Sequence, residues 1–307
     1  MEADLGKICV IGSLNMDLVI NTPRIPVIGE TIIGNGFMTV PGGKGANQAV
    51  AAARLGGEVT MVGNVGDDLF GVSLKENLNI NNVNSQNVKT LENVPTGVAI
   101  VVINEGNNYI ILDSGANFKI SPEDISNLEN VIKNSDILLL QMEIPQDAIE
   151  RAVDIARKYG IKVLLNPAPA RELSNDFLEK VDILTPNESE CEYITGLKLS
   201  TFEDASIAIK CIMGKGVKQV VITLGGRGVV YNSGEKILHK PVPMVEVVDT
   251  TAAGDSFTGA LAVALTKGMS IDDAIDFANV VGTITVTKKG AQTSLPFLEE
   301  LEKFRLK

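Results

Sequence analysis

Asp255 stands between three small residues, Ala252, Ala253 and Gly254, and a mostly apolar stretch from Ser256 to Thr266 that reads as a helix. The small residues permit a tight backbone turn. Their amide N–H groups fall at the positive end of that helix, an arrangement that binds anions. A carboxylate beside an anion hole supplies both parts needed to move a phosphoryl group onto a hydroxyl: donors for the phosphate and a base for the attacking oxygen. The same residues also suit a plain cap, with Asp255 only starting the helix.

Other clusters upstream and downstream gain meaning from this one. In the run Pro41 to Ala49, Gly42 and Gly43 precede an Ala-rich helix and permit close backbone approach to a ligand. Lys44 suits a phosphate, and Asn47 offers a donor and an acceptor to a hydroxyl. This is not a Walker A loop, because Gly45 stands where Ser or Thr must follow the lysine. Gly12 to Asp17 follows the first apolar run, where open α/β sheets place ligand loops. Asn15 and Asp17 share a face if the chain is extended there, and an amide with a carboxylate suits vicinal hydroxyls. Ordinary turn chemistry accounts for the same residues. Glu143 follows a second apolar run and is either a ligand group or a surface carboxylate.

Asn187 and Glu190, three apart at a helix start, can organise magnesium-bound water or form a capping box. Thr223, Leu224, Gly225, Gly226, Arg227 and Gly228 follow a strand and either admit a flat base or make a strand-to-strand turn. The segment from Thr285 to Ser294 leaves a helix through a Gly turn, and its carbonyls, with Asp249 and Thr251, could wrap a monovalent cation. The single histidine, His239, lies away from every glycine-rich loop, which argues against Ser-His-Asp and Cys-His mechanisms.

These residues need a scaffold, and the hydrophobic pattern describes one. Ile8–Ile11, Val59–Val62, Asp136–Gln141, Lys162–Leu165, Val181–Thr185 and Gln219–Leu224 read as strands. Gly45–Leu55, Gln146–Tyr159, Phe202–Lys215 and, further on, about Ser256–Lys267 and Ile271–Thr287 read as helices, followed by a polar tail. Strands alternating with helices indicate an α/β fold with a doubly wound, mainly parallel sheet covered on both faces. Residues 14–40 and 96–114 break the rhythm with strand pairs and a turn signal at 104–107, and predict a small antiparallel lid sheet. A lid excludes water from a phosphate donor. No linker or repeat interrupts residues 1–307, so a single domain with its lid is expected.

Composition narrows the classes. A chain of 307 residues with 45% hydrophobic content and 29 glycines suits a soluble, loop-rich α/β protein. A net charge of −11 argues against nucleic-acid backbones as partners. Cys9, Cys191 and Cys211 show neither zinc spacing nor a disulfide framework, and no run reaches transmembrane length, so a reduced cytoplasmic location is expected and a membrane partner is not.

Taken together, Gly42–Ala49 and Asp249–Asp255, with Asn166-Pro167-Ala168-Pro169-Ala170, Thr185-Pro186-Asn187-Glu188 and Lys289-Gly290-Ala291-Gln292, resemble the ribokinase-type (PfkB) carbohydrate kinase family over essentially the whole chain. The resemblance implies ATP-dependent phosphorylation of D-ribose at O5 and a homodimer formed through the lid. It implies that Asp255 is the general base and that the amides of Ala252, Ala253 and Gly254 hold the transferring phosphoryl. By the same resemblance Asn15, Asp17, Gly42, Gly43, Asn47 and Glu143 hold the sugar, with Lys44 near the transferred phosphate. Asn187, Thr223–Gly228, Gly254 and Asn279 would contact ATP, and Glu190 would support Mg²⁺ through water. K⁺ would be held by Asp249, Thr251, Thr285, Lys288, Gly290 and Ser294. Asn279 departs from the histidine common among close relatives, whereas Ala252, where the broad family usually has glycine, fits the ribokinase-type branch. The alternatives are another sugar or a nucleoside as acceptor, the latter disfavoured by 4% aromatic content, or a non-catalytic sugar- or nucleotide-binding sensor on the same scaffold.

Overall fold

The computed structural model describes residues 6–104 and 107–305. Its strands are β1 (Lys7–Ile11), β2 (Asn15–Asn21), β3 (Asn35–Gly42), β4 (Glu58–Gly66), β5 (Asn84–Leu91), β6 (Gly97–Asn104), β7 (Asn107–Asp113), β8 (Ile137–Leu140), β9 (Lys162–Leu165), β10 (Ile183–Leu184), β11 (Gln219–Thr223), β12 (Val229–Ser233) and β13 (Lys236–Lys240). A nine-stranded sheet runs in the order β13-β12-β11-β10-β9-β8-β1-β4-β5. It is parallel from β11 to β5, and β12 and β13 close one edge antiparallel.

Because successive side chains on a strand face opposite ways, the central strands feed two cores. Val10, Leu139 and Leu164 join a core with Ala49, Leu261 and Ala278 from the helices Lys44–Arg54, Ala253–Thr266 and Ile271–Thr285. Their neighbours Ile11, Leu138 and Val163 join a second core with Val153 and Ile209, from the helices Gln146–Tyr159 and Phe202–Met213. The sheet is therefore covered on both faces, as the apolar runs predict. No helix among the described residues is long and apolar enough to cross a membrane.

The second sheet has the order β3-β2-β6-β7. Its outer pairs are antiparallel, while β2 and β6 run parallel from Asn15↔Gly97 to Asn21↔Ile103. The centre of the turn expected at 104–107 lies outside the described residues, although Asn104 and Asn107 pair in register.

Among the differences from the sequence pattern, these have a clear physical reason. The helix expected at Ser256 begins at Ala253, because Ala252 alone makes the turn with φ 59° and its carbonyl already accepts the Ser256 amide at 2.8 Å. β10 has only two residues; Pro186 has no N–H to continue the ladder, and its carbonyl accepts Thr223 N–H at 3.0 Å. The polar tail contains a helix, Leu298–Arg305, whose Leu301 and Phe304 pack against the first core.

Candidate active site

Lys44, Asn187, Glu190, Thr223 and the turn Ala252–Asp255 line one cleft of about 200 Å³ at the C-terminal ends of the parallel strands. Asn166, Ala168, Thr185, Thr250 and Thr258 complete its walls. β9, β10 and β11 end beneath it, as expected for ligand loops of an open α/β sheet.

Asp255 sits in the first turn of the helix Ala253–Thr266 and is 7% exposed. It does not cap that helix: the cap position is Ala252, with no side-chain cap bond. Both carboxylate oxygens are instead held from the helix Lys44–Arg54. Asn47 Nδ2 donates to Oδ2 at 2.9 Å and Gln48 Nε2 to Oδ1 at 3.0 Å. Asn47 Oδ1 is buried without a partner among the described residues, an acceptor left for a ligand's hydroxyl beside the carboxylate. The Ala253 amide donates to Thr250 O at 3.2 Å, so it is already engaged. The amides of Ala252, Gly254 and Asp255 find no acceptor among the described residues. Of the three donors expected, Ala252 and Gly254 are thus bare, and the Asp255 amide takes the place of Ala253.

The expected sugar loops come together next to Asp255. Gly42, Gly43 and Gly45 are glycines because the Gly12–Asp17 segment passes directly over them. A β-carbon on Gly43, at φ 87°, would lie 2.7 Å from Asn15 N, and one on Gly45 2.6 Å from Ser13 N. Glu143 accepts Lys44 N–H at 3.1 Å and the Ser13 hydroxyl, which places a carboxylate at the N-terminus of the helix Lys44–Arg54. Asn15 is 3% exposed, and its Oδ1 accepts Asn117 Nδ2 at 2.7 Å, leaving its own NH₂ as the group to offer a ligand.

Burial, reinforced by Glu143 and Asp255 and opposed by Lys44, pushes the Asp17 carboxyl up to about 7. Burial works against the Lys44 ammonium, but Asp255, Glu143, Glu190 and Asp17 around it prevail and hold its pKa above the ordinary lysine value. One cation thus serves four carboxylates.

The opposite wall divides the remaining candidates. Asn187 and Glu190 do form a capping box, with Glu190 accepting Asn187 N–H and Nδ2 at 2.8 Å each, and Glu190 also lines the cleft. Burial raises its pKa against the pull of Asn187 and Lys44. A buried carboxylate so placed is eased by a nearby cation, and Mg²⁺ reached through water needs no cage of protein ligands. Thr223, the last residue of β11, lines the cleft, and in the loop that follows β-carbons on Gly225 or Gly226 would meet open space. Leu224 instead packs into the second core. Arg227 turns away to pair with Glu188 at 2.5 Å, and Gly228 lies under Lys240 O, 2.1 Å from where a β-carbon would stand. Asn279 does not line the cleft, yet its Nδ2 is buried and unpartnered among the described residues, which fits a polar contact with a base.

The expected cation loop is partly assembled. Asp249 accepts Thr251 N–H at 2.9 Å, the Thr251 hydroxyl at 2.6 Å and Gly290 N–H at 2.9 Å, joining the two segments. Burial opposes the charge of Asp249, but these donors and Lys289 outweigh it and lower its pKa, so the anion a cation requires is retained. Ser294 is fully buried and donates to Ala291 O at 2.7 Å. The Thr285 hydroxyl points into the helices, donating to Val281 O at 2.9 Å, and Lys288 pairs with Glu300 at 2.5 Å, so any share these two take must come from their carbonyls.

Gln48, Gln141 and Asn166 reach the site without having been singled out as site residues. Their signal is a buried amide in an otherwise apolar helix or at the end of an apolar strand.

A family model described as pfkB family carbohydrate kinase matches residues 5–298. The chain is similar to ribokinase from Haemophilus influenzae, with 42% identity over 297 residues that cover 96% of this chain and 97% of that protein. Among solved structures, Arabidopsis thaliana ribokinase complexed with ribose and ATP superposes with a TM-score of 0.90 at 36% identity, covering 97% of this chain and 98% of that one. A protein from E. coli solved in complex with ATP and Mg²⁺ superposes at 0.82 with 26% identity, covering 98% and 99%.

Proposed function

The chain belongs to the pfkB family of carbohydrate kinases, and from that premise we propose how its residues carry out the ATP-dependent phosphorylation of D-ribose at O5. The observation that carries the reading is the carboxylate of Asp255, gripped by Asn47 and Gln48 beside unpartnered backbone amides and Lys44. Asp255 accepts the O5 proton as O5 attacks the γ-phosphorus. The O5–P bond forms, the bond to the ADP oxygen breaks, and the proton remains on Asp255 until solvent takes it. The turn Ala252–Gly254, with the Asp255 amide, faces the charge on the phosphoryl oxygens, and Lys44 adds a point charge on the sugar side. Asn15, Asp17, Gly42, Gly43, Asn47 and Glu143 orient the sugar hydroxyls, and pre-set orientation of this kind is a large part of such catalysis.

ATP with Mg²⁺ is the donor. Glu190 would hold Mg²⁺ through water, and the ion would supply neutralisation of phosphate charge. Asn187, Thr223, Gly225, Gly226 and Asn279 are the residues we assign to ATP. K⁺ would be held by Asp249 and Thr251 together with carbonyls of Thr285, Lys288 and Gly290 and by Ser294, steadying the loop that leads into the anion site.

We take residues 1–307 as one ribokinase-like domain whose small sheet covers the sugar. Phe37, Ile110 and Ile111 on its edge strands are more than 60% exposed, and the homodimer we infer would cover them. Three free thiols suit a reduced cytoplasmic setting.

A coupled assay of ADP release across D-ribose, 2-deoxyribose, fructose and nucleosides tests this reading, with Asp255→Asn as control. D-Ribose is expected to be the best acceptor, and loss of the base to cost about 10²–10⁴-fold in kcat. Sugar-independent turnover, or a wild-type rate in Asp255→Asn, overturns the mechanism. Sugar binding without turnover would favour the sensor.

A further inference from the structure

Gln48 follows Asn47 on the helix Lys44–Arg54 and is fully buried. Its Nε2 donates to Asp255 Oδ1 at 3.0 Å and to Asn166 Oδ1 at 3.1 Å, and its Oε1 accepts Gln141 Nε2 at 2.7 Å. Gln141, also fully buried, stands just past β8, and Asn166, just past β9, donates to Thr185 O at 2.9 Å. A line of side-chain amides therefore runs through the interior and ends on the carboxylate of Asp255. We propose that Gln48 is the positioning residue of the base: it aims the Asp255 carboxylate, keeps it anionic, and is itself oriented by Gln141. This rests on the reading of Asp255 as the base.

The direction of the line follows from the carboxylate. An anionic oxygen only accepts, so the group facing it must be the Gln48 NH₂. Gln48 Oε1 then faces Gln141, whose own NH₂ must donate. Gln141 is held over Gly12, where a β-carbon would fall 2.0 Å from its Oε1, so a side chain at position 12 would displace it.

The charge around Asp255 explains why amides are needed. Lys44 and Asp17 face it from the sugar side and Glu190 from the opposite wall, with Glu143 behind Lys44. Lys44 is the one cation these carboxylates share. Neutral N–H donors stabilise the anion without adding a cation that would compete for the phosphate.

Profiles of kcat against pH at saturating ribose and ATP test the proposal in Gln48→Met, Gln48→Glu and Gln141→Met. Melting temperature and calorimetric ribose binding check that each variant is folded. Gln48→Met is expected to lower kcat at pH 7 by about tenfold to a hundredfold, keep the KM for ribose within about threefold, and move the acid limb to higher pH. Gln48→Glu should move the limb further, because it adds a fourth carboxylate. Gln141→Met should move it in the same direction by less, and serves if the Gln48 variants fail to fold. An acid limb unchanged in the folded variants overturns the proposal, even if kcat falls. A wild-type rate in Asp255→Asn overturns the base itself, whatever the Gln48 variants do. An inactive Asp255→Asn with an unmoved limb in the others overturns only the role of Gln48.

Discussion

The Asp17 carboxylate lies against the bare α-carbon of Gly42: a β-carbon there would fall 2.4 Å from Oδ2. The two positions are two residues out of register across the β2–β3 pair, a diagonal on one face of the sheet, with Asn15 opposite Gly42 and Asp17 opposite Val40. The carboxylate is thus wedged into the space a side chain would occupy.

That placement has a pH signature. Burial lifts Asp17 from 3.8 to about 7, so the native state binds a proton between those values that the unfolded chain releases. Stability from this group therefore falls as pH rises from about 4 to 7, and the full cost of charging it persists above 7. Asp17→Asn should raise the melting temperature of the ligand-free protein at pH 8 and change it little at pH 4, while raising the KM for ribose. Equal shifts at the two pH values would show that Asp17 is not so perturbed.

Gly254 separates function from fold. It is exposed, and a β-carbon there would meet nothing within 4 Å, so the protein tolerates one. Gly254→Ala should keep or raise stability, by up to about 1 kcal/mol from helix propensity. At the anion site proposed above, the same methyl group would meet the phosphate, so kcat/KM for ATP should fall at least about tenfold, or about 1.4 kcal/mol. Undiminished activity would move the anion site elsewhere.

Asp249 links the segment before the Ala252 turn to Gly290. Replacing K⁺ with Na⁺ or Li⁺ at fixed ionic strength should lower kcat, and Asp249→Asn should abolish the difference between the ions. A rate indifferent to the cation in the wild type would remove the ion from the mechanism and leave Asp249 as a structural link.

The lid makes a prediction about assembly. Sedimentation should give twice the chain mass for the wild type and a monomer for the double variant Phe37→Glu, Ile111→Lys, both sites being well exposed on edge strands. A monomeric wild type at micromolar concentration would leave that apolar face for another partner.

Local patterns made much of the scaffold legible. The helix Gln146–Tyr159 and the strand Lys162–Leu165 match their sequence boundaries, because the helix is strongly amphipathic and ends at Gly160 in the left-handed conformation. What stayed hidden depends on tertiary context. Ala252 adopts a positive φ that local rules reserve for Gly or Asn, so the local pattern starts the next helix three residues late. Leu224 and Gly228 sit in a glycine-rich loop yet serve the core and a close strand approach. The candidate site was legible as a set of loops, but the pairing of Gln48 with Asp255 spans elements far apart in the chain.

The parallel pairing of β2 with β6 ties the small sheet to the history of the chain. During synthesis β2 emerges early and can find β3 soon afterwards, but Gly97 to Ile103 must leave the ribosome before its other edge is filled. Until then Asn15 and Asp17 belong to an unfinished strand with an open edge, a surface that invites wrong pairing. Pulse-labelled hydrogen exchange during refolding should therefore find the β2–β6 amides protected after those of β1 and β4. The segment to which we assign the sugar therefore waits on a strand made about eighty residues later, the sequence separation of its parallel partners.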